Sequence, residues 1–125
     1  MTERIRRGHV ARKRGIRSER LAELALRLKL FRILDRNFRV RGGEIDLVAR
    51  RGDLIVFVEV KARDTLVDGM EAIGVWKRDR MAKAARNWIA THPETAACNF
   101  RADGVFVVPG RWPRHVTNLF EIAID

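Results

Sequence analysis

After Ser18, the text ERLAELALRLKL sets Leu21, Leu24, Ala25 and Leu28 at spacings of three and four, with Ala22, Leu26 and Leu30 on a second stripe. This predicts a helix N-capped by Ser18 and apolar on more than one side. FRILDRNFRV, residues 31–40, alternates roughly between apolar and basic, as an edge strand does, and Gly42 and Gly43 allow a turn. Leu54 to Val58 is unbroken apolar text, expected of a central strand covered on both faces. Residues 62–79 read as a loop with at most a short ordered piece. Met81, Ala84, Ala85, Trp88 and Ile89 then define a second helix that ends before Pro93. Two strands complete the pattern, Phe100 to Val108 and Val116 to Ile124, separated by PGRWPRH. The expected order is α-β-β-β-α-β-β, an α/β domain with a five-stranded sheet.

The charged residues inside the apolar hairpin need explaining. GEIDLVARRGDLIVFVEVKAR, residues 43–63, holds Asp46, Glu59 and Lys61, with Ile45, Leu47 and Ala49 on one expected face and Glu44, Asp46 and Val48 on the other. A two-residue II′ loop at Gly52 and Asp53 pairs residue 51 with 54 and sets Asp46 opposite Glu59. A four-residue loop makes Glu59 a diagonal neighbour of Asp46. Either even loop keeps both carboxylates on one face, with Lys61 roughly 7 Å along the strand from Glu59; a three-residue loop breaks the arrangement.

Unpaired carboxylates beside an apolar central strand are costly without a cation. That cation is either a metal or a neighbouring lysine or arginine. Mg²⁺ or Mn²⁺ suits Asp46 and Glu59, since a hard cation that keeps several waters needs only one or two carboxylates; the Val60 carbonyl offers a third ligand. Metal-assisted phosphodiester hydrolysis also needs a positioned water and relief of charge on the phosphate, and Lys61 is suited to both. The chain holds 21 Arg and 5 Lys, and Lys61 is the one lysine with an acid two positions earlier. Glu19 sits in the first turn of the first helix, where the macrodipole alone accounts for a glutamate. Glu23 is set to pair with Arg27 four residues on.

Charge points to the partner. The 125-residue chain has a formal net charge of +10, which concentrates polyanions around it. Residues 1–17 hold seven Arg or Lys and one Glu and are expected as a flexible basic arm, leaving 18–125 as a single domain. An Arg-rich start also resembles a transit peptide, but Gly8 and Gly15 interrupt it and no apolar stripe accompanies it. Lys77, Arg78, Arg80, Lys83 and Arg86 occupy the polar side of the second helix; such a run is a solvated face or a phosphate track. Lys77, Arg80 and Lys83, with Arg63 beyond the hairpin, are the candidate nucleic-acid contacts.

Other chemistries are poorly supported. His9, His92 and His115 show no ligand spacing, and the single Cys98 excludes an internal disulfide. Trp76, Trp88 and Trp112 could stack on bases, but Trp88 belongs to the core stripe and the others read as packing or loop anchors. No apolar run is long enough to span a membrane, and a cytoplasmic protein is expected.

SERLAELA, ILDRNFR, GEIDLVAR, VFVEVKAR, the lysine of VWKRDRM, and RADGVFVV together resemble the YraN family of uncharacterised proteins. That family is similar to archaeal Holliday-junction resolvases and is placed in the restriction-endonuclease-like PD-(D/E)XK superfamily. The resemblance implies a restriction-endonuclease-like mixed sheet of five strands flanked by helices. It implies that Asp46, Glu59 and Lys61 are the acid, second acid and lysine of a metal-dependent endonuclease acting on branched or structured DNA. It assigns Glu19 to metal binding and Glu44 to support of the site, with Mg²⁺ or Mn²⁺ as cofactor and a homodimer as one assembly. The alternatives are a non-catalytic nucleic-acid-binding protein that keeps the fold, and a basic interaction protein whose acidic cluster is structural. The chain departs from the pattern where Ser18 replaces a glycine, Leu30 and Phe31 replace a glycine-aromatic pair, and Ile45 replaces the superfamily's proline.

Overall fold

A computed structural model describes residues 3–122 of the chain. Helix α1 spans Glu3–Leu28. Strands β1 (Arg32–Val40), β2 (Gly43–Arg51) and β3 (Leu54–Ala62) follow as an antiparallel meander. Helices α2 (Leu66–Glu71) and α3 (Val75–Ala90) and a short 3₁₀ turn cross over to β4 (Asn99–Val107), which is parallel to β3. Strand β5 (Arg114–Phe120) closes the sheet antiparallel to β4, giving the spatial order β1-β2-β3-β4-β5. The protein is therefore a mixed α/β fold with an open five-stranded sheet flanked by helices. The helices described include none long and apolar enough to cross a membrane.

Two clusters sandwich the sheet. On one face Ala22 and Leu26 of α1 pack with Phe31, Leu47, Ala49, Val56, Val58 and Val105. On the other, Ala84, Ala85 and Trp88 of α3 pack with Ile45, Val48, Ile55 and Phe57. Strand β3 contributes to both, as its unbroken apolar run predicts. Gly43 lets α3 lie close: a Cβ there would stand 2.7 Å from the Arg80 carbonyl oxygen and 2.9 Å from the Ala84 nitrogen.

Several expectations change. Ser18 is no N-cap: the helix is continuous from Glu3, and Ser18 is buried within it. Of the expected arm, residues 3–17 are backbone-helical. Arg, Lys and Ala are good helix formers, and Gly8 and Gly15 cost only about 1 kcal/mol each. The core stripe of α1 is Ser18, Ala22, Ala25 and Leu26, whereas Leu21, Leu24 and Leu28 are exposed. Three of the four are small, which lets the helix lie close to β3 and β4 with Leu26 as its one large core contact. Glu23 pairs with Arg27 at 2.9 Å as expected, and also with Arg36 of β1, whose hydrogen bond holds the carboxyl down at about 2.

The expected loop over residues 62–79 is mostly helical. Thr65 caps α2 by accepting from the Asp68 amide at 3.1 Å, and α3 begins at Val75. Its first turn carries exposed Val75 and Trp76, so no core periodicity marks its start. The last strand ends at Phe120 rather than Ile124; residues 123–125 lie outside the described residues. Its alternation breaks at Asn118, which has φ +56° and donates its amide to Asp103.

Candidate functional site

The β2–β3 loop is the two-residue one. Arg51 pairs with Leu54, and Gly52 has φ +59°, as a II′ turn requires. The ladder runs from there to Leu47 opposite Val58 and stops. Beyond it, the Asp46 side chain takes over the backbone's part: Oδ2 accepts the Val60 amide at 2.7 Å. This placement breaks the face alternation of β2. Ile45 packs under α3 with Val48, while Leu47 and Ala49 lie under α1, so Ile45 leaves the face expected for it. A side chain bonded to the next strand's amide is turned into the gap between strands, and the chain slips one face to accommodate it. The β1 register puts Asn37 opposite Asp46, and Asn37 has φ +50°.

Glu59 follows on β3 with 1 % of its surface exposed. Its Oε1 lies 3.3 Å from Lys61 Nζ and 3.2 Å from Lys77 Nζ, and its buried Oε2 has no hydrogen-bond partner. Lys77 reaches in from α3 and also bonds Glu44, which stands 3.9 Å from Arg39. Glu19 approaches from α1, held by the Asn37 side chain and close enough to Asp46 to feel its charge.

Burial first, and then the Asp46 charge, push the Glu59 carboxyl up to about 7. Burial also raises Asp46 despite its bond to Val60, and burial with Asp46 raises Glu19. Glu44 is held down by its hydrogen bond to Lys77. Burial would lower Lys77, but its bonds to Glu44 and Glu59 outweigh this and raise it. Burial, and for Glu59 the Asp46 charge, thus disfavour negative charge on both carboxyls, a penalty that a divalent cation between them would relieve. Their donor set fits Mg²⁺ or Mn²⁺: two carboxylates, hard oxygens only, and an orphaned buried oxygen on Glu59. No cage of three or more metal-ligating side chains exists among the described residues, and Lys77 supplies the positive charge.

The hairpin therefore brings together Asp46, Glu59 and Lys61, with Glu44 beside them and Glu19 at the Asp46 side. Lys77, expected on the nucleic-acid face, is instead part of this cluster. The signal was present: Lys77 precedes Met81, Ala84 and Trp88 by four, seven and eleven residues, the spacing of the buried stripe. Arg80 lies over the Trp76 ring, and the Lys83 Nζ would stand 3.0 Å from a Cβ on Gly42. The Arg63 guanidinium donates to the Ala62 carbonyl at 2.7 Å.

Sequence reasoning missed a second polar centre. Asp103, fully buried on β4, accepts from Arg101 Nε at 2.7 Å, from Arg101 Nη2 at 2.8 Å and from the Asn118 amide at 3.0 Å. His115 Nε2 lies 2.7 Å from Oδ2, the oxygen that also accepts from Arg101 Nη2, and Lys29 Nζ lies 3.0 Å from His115 Nδ1. Chain spacing could not reveal it, because it is assembled across β4, β5 and the end of α1.

The fold and site define a mixed α/β protein with a buried acid–lysine cluster where the central hairpin splays. The chain belongs to the uncharacterised protein family UPF0102, whose model matches residues 18–107. It is 54 % identical over 108 residues to a UPF0102 protein of Methylocella silvestris, covering 86 % of this chain and 87 % of the relative. Against one from Methylorubrum extorquens the identity is 56 % over 109 residues, covering 87 % and 85 %. A Bartonella tribocorum relative is 44 % identical over 107 residues, covering 86 % and 82 %.

Proposed function

We propose that this protein is a divalent-metal-dependent endonuclease with a restriction-endonuclease-like fold, acting on DNA of branched or otherwise structured geometry. The observation that carries the proposal is the pair formed by Asp46, anchored on the Val60 amide, and Glu59, whose buried Oε2 lacks a partner. Asp46 and Glu59 would hold Mg²⁺ or Mn²⁺ with water in the remaining positions, Glu19 would add negative charge on the Asp46 side rather than a third ligand, and Glu44 would steady the site through Lys77. The metal would supply Lewis acidity and a bound water of lowered pKa. Lys61, 3.3 Å from Glu59, would contact a phosphate oxygen and orient the attacking water. The net charge of +10 draws the polyanion to the surface without reading its sequence.

The test incubates purified protein with branched, single-stranded and duplex DNA, with EDTA, Mg²⁺ or Mn²⁺, beside Asp46→Asn and Lys61→Ala. Metal-dependent cleavage lost in both variants supports the proposal; cleavage that persists in both overturns the site. A second reading is favoured by Lys77, whose ammonium already pairs with Glu59: a nucleic-acid-binding protein that keeps the fold without turnover. Salt-sensitive binding with no cleavage under any metal supports that reading.

A further inference from the structure

Trp76 immediately precedes Lys77, the α3 member of the acidic cluster, and 70 % of its surface is exposed. An indole this open has no core role, and three cations, Arg80, Lys83 and Arg86, share its recess with one acid, Asp79. The Arg80 guanidinium sits 4.8 Å from the ring centroid, and Arg80 Nε is buried without a hydrogen-bond partner. Trp76, Arg80, Lys83 and Arg86 share with Gly42 and Asp79 the lining of a recess of about 390 Å³. Trp76, Arg80 and Lys83 follow each other at spacings of four and three, so they form one stripe on α3. The next face of the same helix sends Lys77 to Glu59 and Glu44.

We infer that Trp76 and the cationic stripe of Arg80 and Lys83 form a stacking platform for an unpaired nucleobase of a polynucleotide, adjoining the acidic cluster. An aromatic ring flanked by guanidinium and ammonium groups offers a base a π-face and offers the flanking phosphates their countercharge. A paired base cannot lie flat on Trp76, because its faces are occupied by its neighbours in the helix. The platform therefore selects single-stranded, flapped or branched substrates over continuous duplex. This rests on the nuclease reading only for its relation to the cluster; the binding itself does not.

The test measures binding of fluorescein-labelled oligothymidylate, oligouridylate and a blunt duplex in EDTA, for wild type, Trp76→Ala, Trp76→Phe and Lys83→Ala. Expected is a loss of about tenfold in single-strand affinity for Trp76→Ala, from the usual worth of one stacked base, with Trp76→Phe close to wild type and duplex affinity unchanged. Lys83→Ala should weaken the binding and flatten its salt dependence. The two single strands separate DNA from RNA preference; binding of either through Trp76 supports the platform. Equal losses on duplex and single strand, or no loss, overturn it. So does a wild-type dimer that Trp76→Ala dissolves without affecting oligonucleotide binding, which would assign the surface to a second copy. Trp76-dependent binding without cleavage in Mn²⁺ keeps the platform and overturns the nuclease. Cleavage and binding indifferent to Trp76 do the reverse.

Discussion

Lys77 Nζ lies 3.2 Å from Glu59 Oε1, so one carboxylate oxygen of β3 is shared between a lysine on its own strand and a lysine on α3. The sharing holds a largely buried ammonium against the central hairpin and sets it in competition with any metal there.

Replacing Lys77 with glutamine should therefore act in two directions. Loss of charge-assisted bonds to Glu44 and Glu59 is expected to lower metal-free stability by about 1–3 kcal/mol, measured by urea unfolding. Removal of the competing charge should tighten Mn²⁺ binding about tenfold, equivalent to about 1.4 kcal/mol, measured by titration calorimetry. A destabilised variant with no Mn²⁺ binding, like a non-binding wild type, would speak for a purely structural cluster.

Glu59 should make stability fall as pH rises. Its carboxyl is raised from 4.5 to about 7 in the fold, so the native state binds the proton more tightly than the unfolded chain. Below about 4.5 both states are protonated and nothing is lost; between 4.5 and 7 stability declines; above 7 the full penalty, roughly 3 kcal/mol, is present. Denaturation at about pH 5 and pH 8 should show this slope in wild type and a clearly shallower one in Glu59→Gln, where Asp46 and Glu19, raised in the same direction, remain. Because metal binding displaces the proton, Mn²⁺ should raise the melting temperature more at the higher pH, and not in Asp46→Asn.

Leu30 should be improvable. It ends α1 in the left-handed region, φ +70°, with the Phe31 amide bonded to the Leu26 carbonyl and the Leu30 amide to that of Arg27. This is a Schellman closure, where glycine carries no Cβ penalty, and Leu30 is 81 % exposed. Leu30→Gly is expected to stabilise the protein by about 1 kcal/mol, read as a raised melting temperature.

Asp103 should contribute strongly to stability. Burial alone would raise its carboxyl, but hydrogen bonds from His115, Arg101 and the Asn118 amide hold it at about 2. With a depressed pKa, its contribution is complete above the ordinary value of 3.8 and is lost as pH falls toward 2. Asp103→Ala leaves these donors unpaired and should cost about 3 kcal/mol in urea unfolding at neutral pH. Its acid-unfolding midpoint should lie above that of the wild type.

Local pattern carried far where a residue's role depends on its neighbours along the chain. The run Leu54 to Val58 announced a strand buried on both faces, and the Gly52–Asp53 loop set the register that brings Asp46 to Glu59. Period two put Lys61 on Glu59's face, and Met81, Ala84 and Trp88 marked α3. Pattern misled where two stripes competed: α1 exposes Leu21, Leu24 and Leu28 and buries Leu26 with the small residues Ser18, Ala22 and Ala25, which let the helix lie close to the sheet.

By itself the sequence determined the first helix, the five strands, the central strand covered on both faces and the acids and lysine of the hairpin, since these follow from side-chain period; the choice of the two-residue loop and the helix α2 did not follow from it. Only the tertiary structure decided that Asp46 turns into the gap between strands, that Lys77 faces the acids rather than solvent, and that Asp103 and His115 meet. Those outcomes depend on how closely α3 approaches the sheet and on the register of β5 against β4, and both are set by packing between segments remote in the chain.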